Sequence, residues 1–331
     1  MNNKIIVEGL WNTGKSTVAE CLKKSFGYAV VSEPDHLKAK EPIIDIDGWY
    51  IDQHGKNHDL LYGMSDRTGA VMERSIISSM AFLYASNKKV EMTLSVFERF
   101  RDWYAKNESL VVVLYPGTGG AMPVLSGVED ESVRAFLGNS EFTEKYDYFY
   151  RVVLPFEYNI APLFIDIFDT SGARKTANDI VRNIAGAVEK DRIAQVNVVC
   201  FKEAEGKPKF LVMKRNEKKG GFWQTITGGV HAKELLNENA LRETAEEVGI
   251  RTDKTNLLTT QYAFHYIGGE GYELNEYVYG YKLEDSDTIT LSDEHVEAAF
   301  LDEDEAIGRV KYDGNKAAVR EVARVQHLQN G

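Results

Sequence analysis

The sequence predicts two consecutive α/β domains, the first a three-layer fold around a parallel sheet and the second a fold richer in hairpins. Three observations carry this. The chain has 331 residues, which suits two domains of roughly 150 to 200 residues better than one. Its first half alternates short apolar runs with longer amphipathic ones, the pattern of parallel β-α units. Near residue 192 that alternation gives way to pairs of apolar runs flanking turn residues, the pattern of hairpins.

In order, the first half reads KIIVEG, KSTVAECLKKSF, YAVVSEP, GAVMERS, IISSMAFLYA, SLVVVLYP and PLFIDIF. Thr170-Ser171-Gly172 ends the last of these strands, and a helix-like segment from Lys175 to Lys190 closes the domain. In the second half AQVNVVCF and KFLVMKR flank EAEGKPK, and TTQYAFHYI and YELNEYVYGYKL flank GGEG. The expected domains are residues 1–191 and 192–331. No Gly/Ser/Pro linker separates them, which predicts close neighbours. There is no internal repeat and no low-complexity stretch.

Composition narrows the function. With 43% hydrophobic and 27% charged residues the chain is an ordinary globular one. Its net charge of −12 argues against a nucleic-acid polymer as partner, since binding a phosphate backbone requires a basic surface. Small phosphorylated ligands need only local cations and metal ions. Cys21 and Cys200 fall in different domains without ligand spacing, and both are expected to be buried thiols. A strand beginning at Lys4 leaves no room for a signal peptide and no apolar run reaches membrane-spanning length, so a cytoplasmic location is expected. A homo-oligomer is compatible with the sequence, which does not fix the assembly state.

The first motif is Gly9 to Ser16, GLWNTGKS, an unbroken GxxxxGK[ST] between a predicted strand and a predicted helix. Its glycines let backbone N–H groups wrap phosphate oxygens and the helix N-terminus adds partial positive charge. Gly9, Asn12, Thr13, Gly14, Lys15, Ser16 and Thr17 are thus the candidate ATP-binding residues, with Lys15 reaching the outer phosphates and Ser16 available to Mg²⁺. Ligands of a parallel sheet gather at the carboxyl ends of its strands. There Glu33-Pro34 follows the second strand and Glu73-Arg74-Ser75 the third.

VEGLWNTGKST, SEP and ERSIISSMAF together resemble the deoxynucleoside kinase and thymidylate kinase group of P-loop kinases. The resemblance implies ATP as phosphoryl donor, Glu33 as general base toward a 5′ hydroxyl, Arg74 on the transferring phosphates and Glu73 supporting Mg²⁺ through water. One segment departs from it. Where the family carries a lid with arginines at helical spacing, this chain reads GTGGAMPVLSGVEDESVRAFLG, with Arg134 as the one cation. Gly117, Gly119 and Gly120 suggest a mobile loop, and Glu129 to Glu131 are a poor cover for a triphosphate. Arg151, Arg101 or the second domain would have to supply the missing charge. Residues 36–59 do not name an acceptor. His54 and His58 have the i, i+4 spacing of a metal pair, but Gly55 and polar neighbours read as a loop.

The second motif is Gly228 to Ile250, GGVHAKELLNENALRETAEEVGI. It is similar to the Nudix box, with Gly228, Glu234, Arg242, Glu243, Glu246, Glu247, Gly249 and Ile250 in register and Thr244 replacing the usual aliphatic residue. On a helix Glu243, Glu246 and Glu247 stand at i, i+3 and i+4 and share a face. Such a cluster suits divalent cations, which prefer hard oxygen ligands and would neutralise a pyrophosphate and acidify an attacking water.

Residues 193–328, with GFWQTITGGV before the box and SDEHVEAAFLDEDEA and DGNKAAV after it, resemble the Nudix branch of dATP and dihydroneopterin triphosphate pyrophosphohydrolases. The resemblance implies an α/β/α sandwich and Mg²⁺, or Mn²⁺, on Glu246 and Glu247. Glu243 would be a further ligand or the base, Arg242 would orient a carboxylate, and Glu294 or Glu297 would add an oxygen from outside the box. Lys214 and Arg215 are phosphate contacts or a solvated strand end. Trp223 stacks on a base or fills the core. In the fold implied, Thr244 faces the core.

Together these readings make the chain a bifunctional enzyme of nucleotide metabolism. An ATP-dependent nucleoside or nucleoside monophosphate kinase would be fused to a Mg²⁺-dependent (d)NTP pyrophosphohydrolase. The missing basic lid leaves a second reading open, a Nudix hydrolase regulated by a P-loop domain that binds nucleotide without catalysis.

Overall fold

The computed structural model describes residues 4–64, 69–105, 109–117, 128, 130–169, 171–189, 193–204, 206–231, 234–267 and 273–330. These divide into two compact units, Met1–Ile193 with Tyr266–Leu274, and Ala194–His265 with Asn275–Gly331.

The first unit begins with β1 (Lys4–Glu8), α1 (Lys15–Phe26), β2 (Ala29–Val31), α2 (Ile46–Gly63), β3 (Ala70–Glu73), α3 (Ile76–Ala85), α4 (Leu94–Ala105) and β4 (Leu110–Tyr115). It continues with α5 (Glu131–Gly138), α6 (Ser140–Tyr148), α7 (Leu154–Tyr158), β5 (Leu163–Asp166) and α8 (Ala177–Glu189). The five strands are parallel in the order β5-β4-β1-β3-β2. Period-two alternation builds the layers. Ile5, Val7, Val71, Val112 and Ile165 face Val18, Leu22, Ile180 and Ile184 of α1 and α8. Ile6, Met72, Val111 and Val113 face Ile77, Met80, Phe97, Tyr104 and Tyr146 of α3, α4 and α6. Each such side chain contributes roughly 1.5–3 kcal/mol by burial. The layering sets the carboxyl ends of β1, β2 and β3 side by side.

The second unit contains β6 (Ala194–Ala204), β7 (Lys207–Arg215), β8 (Trp223–Gln224), β9 (Ile226–Gly229), α9 (Leu236–Val248), β10 (Leu257–Ile267) as far as His265, β11 (Glu273–Lys282) from Asn275 on, β12 (His295–Leu301), α10 (Glu303–Arg309) and α11 (Asp313–Asn330). Phe201 and Phe210 pair across the β6–β7 hairpin, β10 pairs β11, and β6 and β11 run parallel. Alternate residues of β6 again part the layers. Val199 and Phe201 pack with Ala306, Ala318, Val319 and Val322 of α10 and α11, whereas Cys200 looks toward Thr244 and Glu247 of α9. Thr244 is fully buried, as its core-facing position requires, and its hydroxyl donates to Ala240 O at 2.7 Å.

Two expectations are corrected. His54 and His58 lie in the helix α2, not in a loop, and both are buried. The polar run QHGKNHD concealed this, because burial of the rings, and not local propensity, decides the segment. His58 stacks on Phe100 with 4.6 Å between centroids and bonds Tyr104 Oη at 2.5 Å. Gly55 faces Val96 of α4, which a Cβ would meet in ordinary contact at 3.4 Å. Cys21 is half-exposed, not buried; its thiol reaches Asn178 Oδ1 of α8 at 3.0 Å. Cys200 is buried. Among the described residues no helix is long and apolar enough to cross a membrane.

Candidate active sites

In the first unit the glycine-rich loop follows the central strand β1. Gly9 has φ +125° and a Cβ there would strike the Leu114 carbonyl, so only glycine fits. Asn12 and Gly14 are also left-handed, at φ 61° and 95°. Gly14 caps α1 without a side-chain acceptor, leaving the first-turn N–H groups to an anion. Thr13 Oγ1 donates to Leu10 O at 2.9 Å, and Lys15 Nζ to Leu10 O at 2.7 Å and Gly9 O at 3.3 Å. Burial and then the Arg74 charge push the Lys15 ammonium down to about 7, against Glu33, Glu8 and Glu73. The Ser16 hydroxyl donates to the Glu73 carboxylate. Thr17 is exposed on the first turn of α1.

Glu33 and Arg74 meet beside this loop, with Nε 2.7 Å from Oε1. Arg74 has φ 58°, lies over the Trp11 ring at 5.1 Å and reaches Tyr146 Oη at 3.2 Å. Burial alone would raise the Glu33 carboxyl; Arg74 and Lys15 overcome it and hold the group below its usual range. A cavity of about 810 Å³ opens here, lined among others by Trp11, Glu33, Tyr50, Glu73, Arg74 and Phe136. Lys38 and Lys88 also line it, paired with Asp35 at 3.0 Å and Asp47 at 2.5 Å. Behind it the fully buried Glu8 accepts from Ser75 at 2.5 Å, from Tyr150 at 3.0 Å and from Ser78. Burial raises its carboxyl despite those bonds.

Residues 118–127 and Glu129 of the expected lid lie outside the described residues. Arg134 Nε donates to Val128 O at 2.5 Å. Arg151 is stacked on Tyr115 and Phe164 at 4.7 and 4.4 Å, and Arg101 pairs with Glu98 on the exposed side of α4. A cation that the sequence reading missed is Arg174, from the loop after β5. Its Nη2 donates to Asn12 O at 2.7 Å and lies 3.6 Å from where a Gly14 Cβ would sit. Its place beyond the carboxyl end of a parallel strand was the available signal.

In the second unit α9 carries the carboxylates. Arg242 clasps them, reaching Glu234 Oε1 at 2.7 Å, Glu243 Oε1 at 2.8 Å and Glu246 Oε2 at 3.0 Å. The Glu234 hydrogen bond, then the neighbouring carboxylates, hold the guanidinium above its usual range. The Glu243 and Glu247 side chains are 12% and 11% exposed, that of Glu246 59%. The helix therefore turns two of its three carboxylates inward. Glu243 lies against Gly228 of β9, where a Cβ would come within 1.8 Å of its carboxyl carbon. Burial, then Glu243 and Glu294, push the Glu247 carboxyl up to about 8.

Outside the box, Glu294 pairs with Arg215 at 2.7 Å and Lys219 at 3.2 Å. Glu297 is exposed on β12 opposite Lys214. A register shift between His295 and Glu297 turns it from the α9 side, as bulges re-aim side chains. Lys214 is 3.9 Å from Glu217. Trp223 is half-buried against the core, with Arg309 over its ring at 5.0 Å.

Residues 191–323 match the family described as the NUDIX domain. This segment is a NUDIX domain. A structure described as a NUDIX hydrolase from Listeria monocytogenes is 28% identical, covering 41% of this chain and 94% of its own, with a TM-score of 0.36. The dihydroneopterin triphosphate pyrophosphohydrolase of E. coli is 22% identical, covering 43% and 98%, with a TM-score of 0.35. A curated relative, the octanoyltransferase of Myxococcus xanthus, is 27% identical over 167 residues, which are 50% of this chain and 42% of that protein. The chain thus spans less than half the length of the curated relative it matches.

The NUDIX residues fit a divalent cation. Glu247 Oε2 is buried without a hydrogen-bond partner, Glu243 stands beside it on the same helix, and both offer hard oxygens. Among the described residues no three side chains already converge as ligands, since Arg242 holds Glu243 and Glu246.

Proposed function

We propose that the NUDIX domain is a Mg²⁺- or Mn²⁺-dependent pyrophosphohydrolase of nucleoside triphosphates or related diphosphates, fused to an ATP-dependent kinase. The observation that supports the hydrolase most is the inward pair of Glu243 and Glu247, one of whose oxygens is buried without a partner. The cation, when bound, neutralises the pyrophosphate and acidifies the attacking water. Glu246 and Glu247 hold it, Glu243 serves as further ligand or base, Glu294 adds an outer carboxylate, and Arg242 keeps the helix carboxylates in place. With a triphosphate, water attacks the α or β phosphorus as its proton passes to a carboxylate such as Glu243, the bridging P–O bond breaks, and the products are a nucleoside monophosphate and pyrophosphate; a diphosphate yields two monophosphates.

For residues 1–191 the reading rests on the cavity beside Lys15. Glu33 takes the proton of an acceptor hydroxyl while the hydroxyl oxygen attacks the terminal phosphorus of ATP, and the P–O bond to ADP breaks. Lys15, Ser16 and Arg74 meet the phosphates, with Glu73 supporting Mg²⁺. Lys38 and Lys88 are already paired with carboxylates. That favours an uncharged nucleoside over a monophosphate as acceptor. A nucleoside panel with labelled ATP tests this: transfer lost in Lys15→Ala supports the kinase, whereas nucleotide binding without any transfer overturns it. For hydrolysis, Glu247→Gln is expected to abolish Mg²⁺-dependent pyrophosphate release.

A further inference from the structure

Around Glu247 a set of buried polar atoms lacks hydrogen-bond partners: Glu247 Oε2, both ring nitrogens of His295, Arg215 Nε and Ser292 Oγ. Backbone bonds bring them together. Ser292 N donates to Glu247 O at 3.2 Å, His295 N to Ser292 O at 3.1 Å and Asn216 N to Glu294 O at 2.8 Å. The segment entering β12 is thereby tied to the end of α9 and to the end of β7. His295 pairs with Arg215 and Glu297 with Lys214, so Val296 is the extra residue of a bulge. Regular alternation would put His295 and Glu297 on one side. Instead His295 is 5% exposed and Val296 61%, and the imidazole Nε2 stands 3.9 Å from Glu247 Oε2.

We propose that His295 is a positioning residue of the NUDIX site, its Nε2–H donating to Glu247 Oε2 and fixing that carboxylate for a divalent cation. This rests on the reading of α9 as the metal helix. At 3.9 Å the two atoms are about 1 Å beyond hydrogen-bond distance, a gap that a small rotation of the carboxylate closes. Arg215 engages Glu294 through Nη2, and it is the imidazole Nε2 that faces Glu247 Oε2, at 3.9 Å. A neutral donor orients a ligating oxygen without opposing the cation's charge, and such outer partners change metal affinity by roughly 10 to 100-fold.

The test is a Mn²⁺ titration of the full chain, followed by electron paramagnetic resonance and by nucleoside triphosphate hydrolysis. His295→Ala is expected to weaken Mn²⁺ binding about tenfold and to slow hydrolysis. His295→Gln, whose amide N–H reaches the place of Nε2, restores both to within about twofold. His295→Asn, which reaches only the place of Nδ1, behaves like the alanine variant and replaces it if alanine fails to fold. Wild-type Mn²⁺ affinity in the alanine and asparagine variants overturns the proposal. So does failure of the glutamine variant to rescue while melting at the wild-type temperature. A ¹⁴N coupling in the wild-type Mn²⁺ spectrum that disappears in His295→Ala would make the imidazole a direct ligand and overturn it as well. If the wild-type chain binds no Mn²⁺, or Glu247→Gln binds it undiminished, the metal reading of α9 itself fails.

Discussion

Glu243 occupies the space that any side chain at residue 228 would need, its carboxyl carbon lying 1.8 Å from where a Gly228 Cβ would be built. A strand backbone and a helix carboxylate thus touch only because residue 228 is glycine. Gly228→Ala is expected to push the flexible end of Glu243 aside at a stability cost of about 1 kcal/mol. Hydrolysis falls further, roughly 100-fold, because displacing a reactive group by about 1 Å is that costly. Urea unfolding beside pyrophosphate release checks both. Equal, small effects on the two would separate Glu243 from the chemistry.

The Glu33–Arg74 pair makes a contrasting prediction for the first unit. Glu33→Gln keeps the shape of the acceptor side and removes the base, so Mg·ATP binding is retained while transfer to a hydroxyl drops by about 10²–10⁴. Arg74→Ala takes a buried guanidinium from the half-buried Glu33 carboxylate and is expected to destabilise the unit by about 1–3 kcal/mol as well. Isothermal binding, transfer assays and denaturation on the two variants separate the roles. If Glu33→Gln slows transfer only about twofold, Glu33 is not the base.

Arg174 crosses to the phosphate loop at Asn12 from the loop after β5. Arg174→Ala is expected to weaken ATP and ADP about tenfold, the size of one charge-assisted hydrogen bond, and adenosine hardly at all. Arg174→Lys recovers part of the loss. A uniform loss across all three ligands would mean that the arginine only braces the loop. Undiminished ATP binding would remove it from the site altogether.

Elements with strong local signals were legible in the sequence. KIIVEG, GAVMERS and SLVVVLYP became β1, β3 and β4 because their residues alternate between two apolar layers. The motif glycines also carried their positions, since Gly9 and Gly228 sit where a Cβ cannot. What stayed hidden depends on tertiary contact. The α2 helix is held by rings that stack on α4, and no local propensity announces that. The bulge that parts His295 from Glu297 shifts the period by one residue, so alternation alone would set His295 and Glu297 on one side. Arg174 meets Asn12 across 162 positions of chain.

The buried histidines of α2 give the first unit a pH dependence of stability. Burial pushes His54 and His58 down to about 3, with little relief for His54 from Glu33 and none for His58 beside His54 and Arg99. In the unfolded chain both titrate near 6.5. Between about pH 6.5 and 3 the unfolded state therefore binds protons that the folded state refuses. The histidine contribution to stability is full above pH 6.5 and is lost as the solution is acidified, by at most about 1.4 kcal/mol per pH unit for each histidine. Urea midpoints followed by tryptophan fluorescence report mainly this unit, which holds Trp11, Trp49 and Trp103. They are expected to drop steadily from pH 6.5 to 4.5. His54→Gln removes one of the two titrating imidazoles and halves the slope, and the Nδ1 of His54 has no hydrogen-bond partner to lose. A slope unchanged by that substitution would place the acid sensitivity elsewhere, with the buried Glu8 excluded by sign. Burial raises its carboxyl above the unfolded value, so the stability linked to Glu8 rises as pH falls through that window.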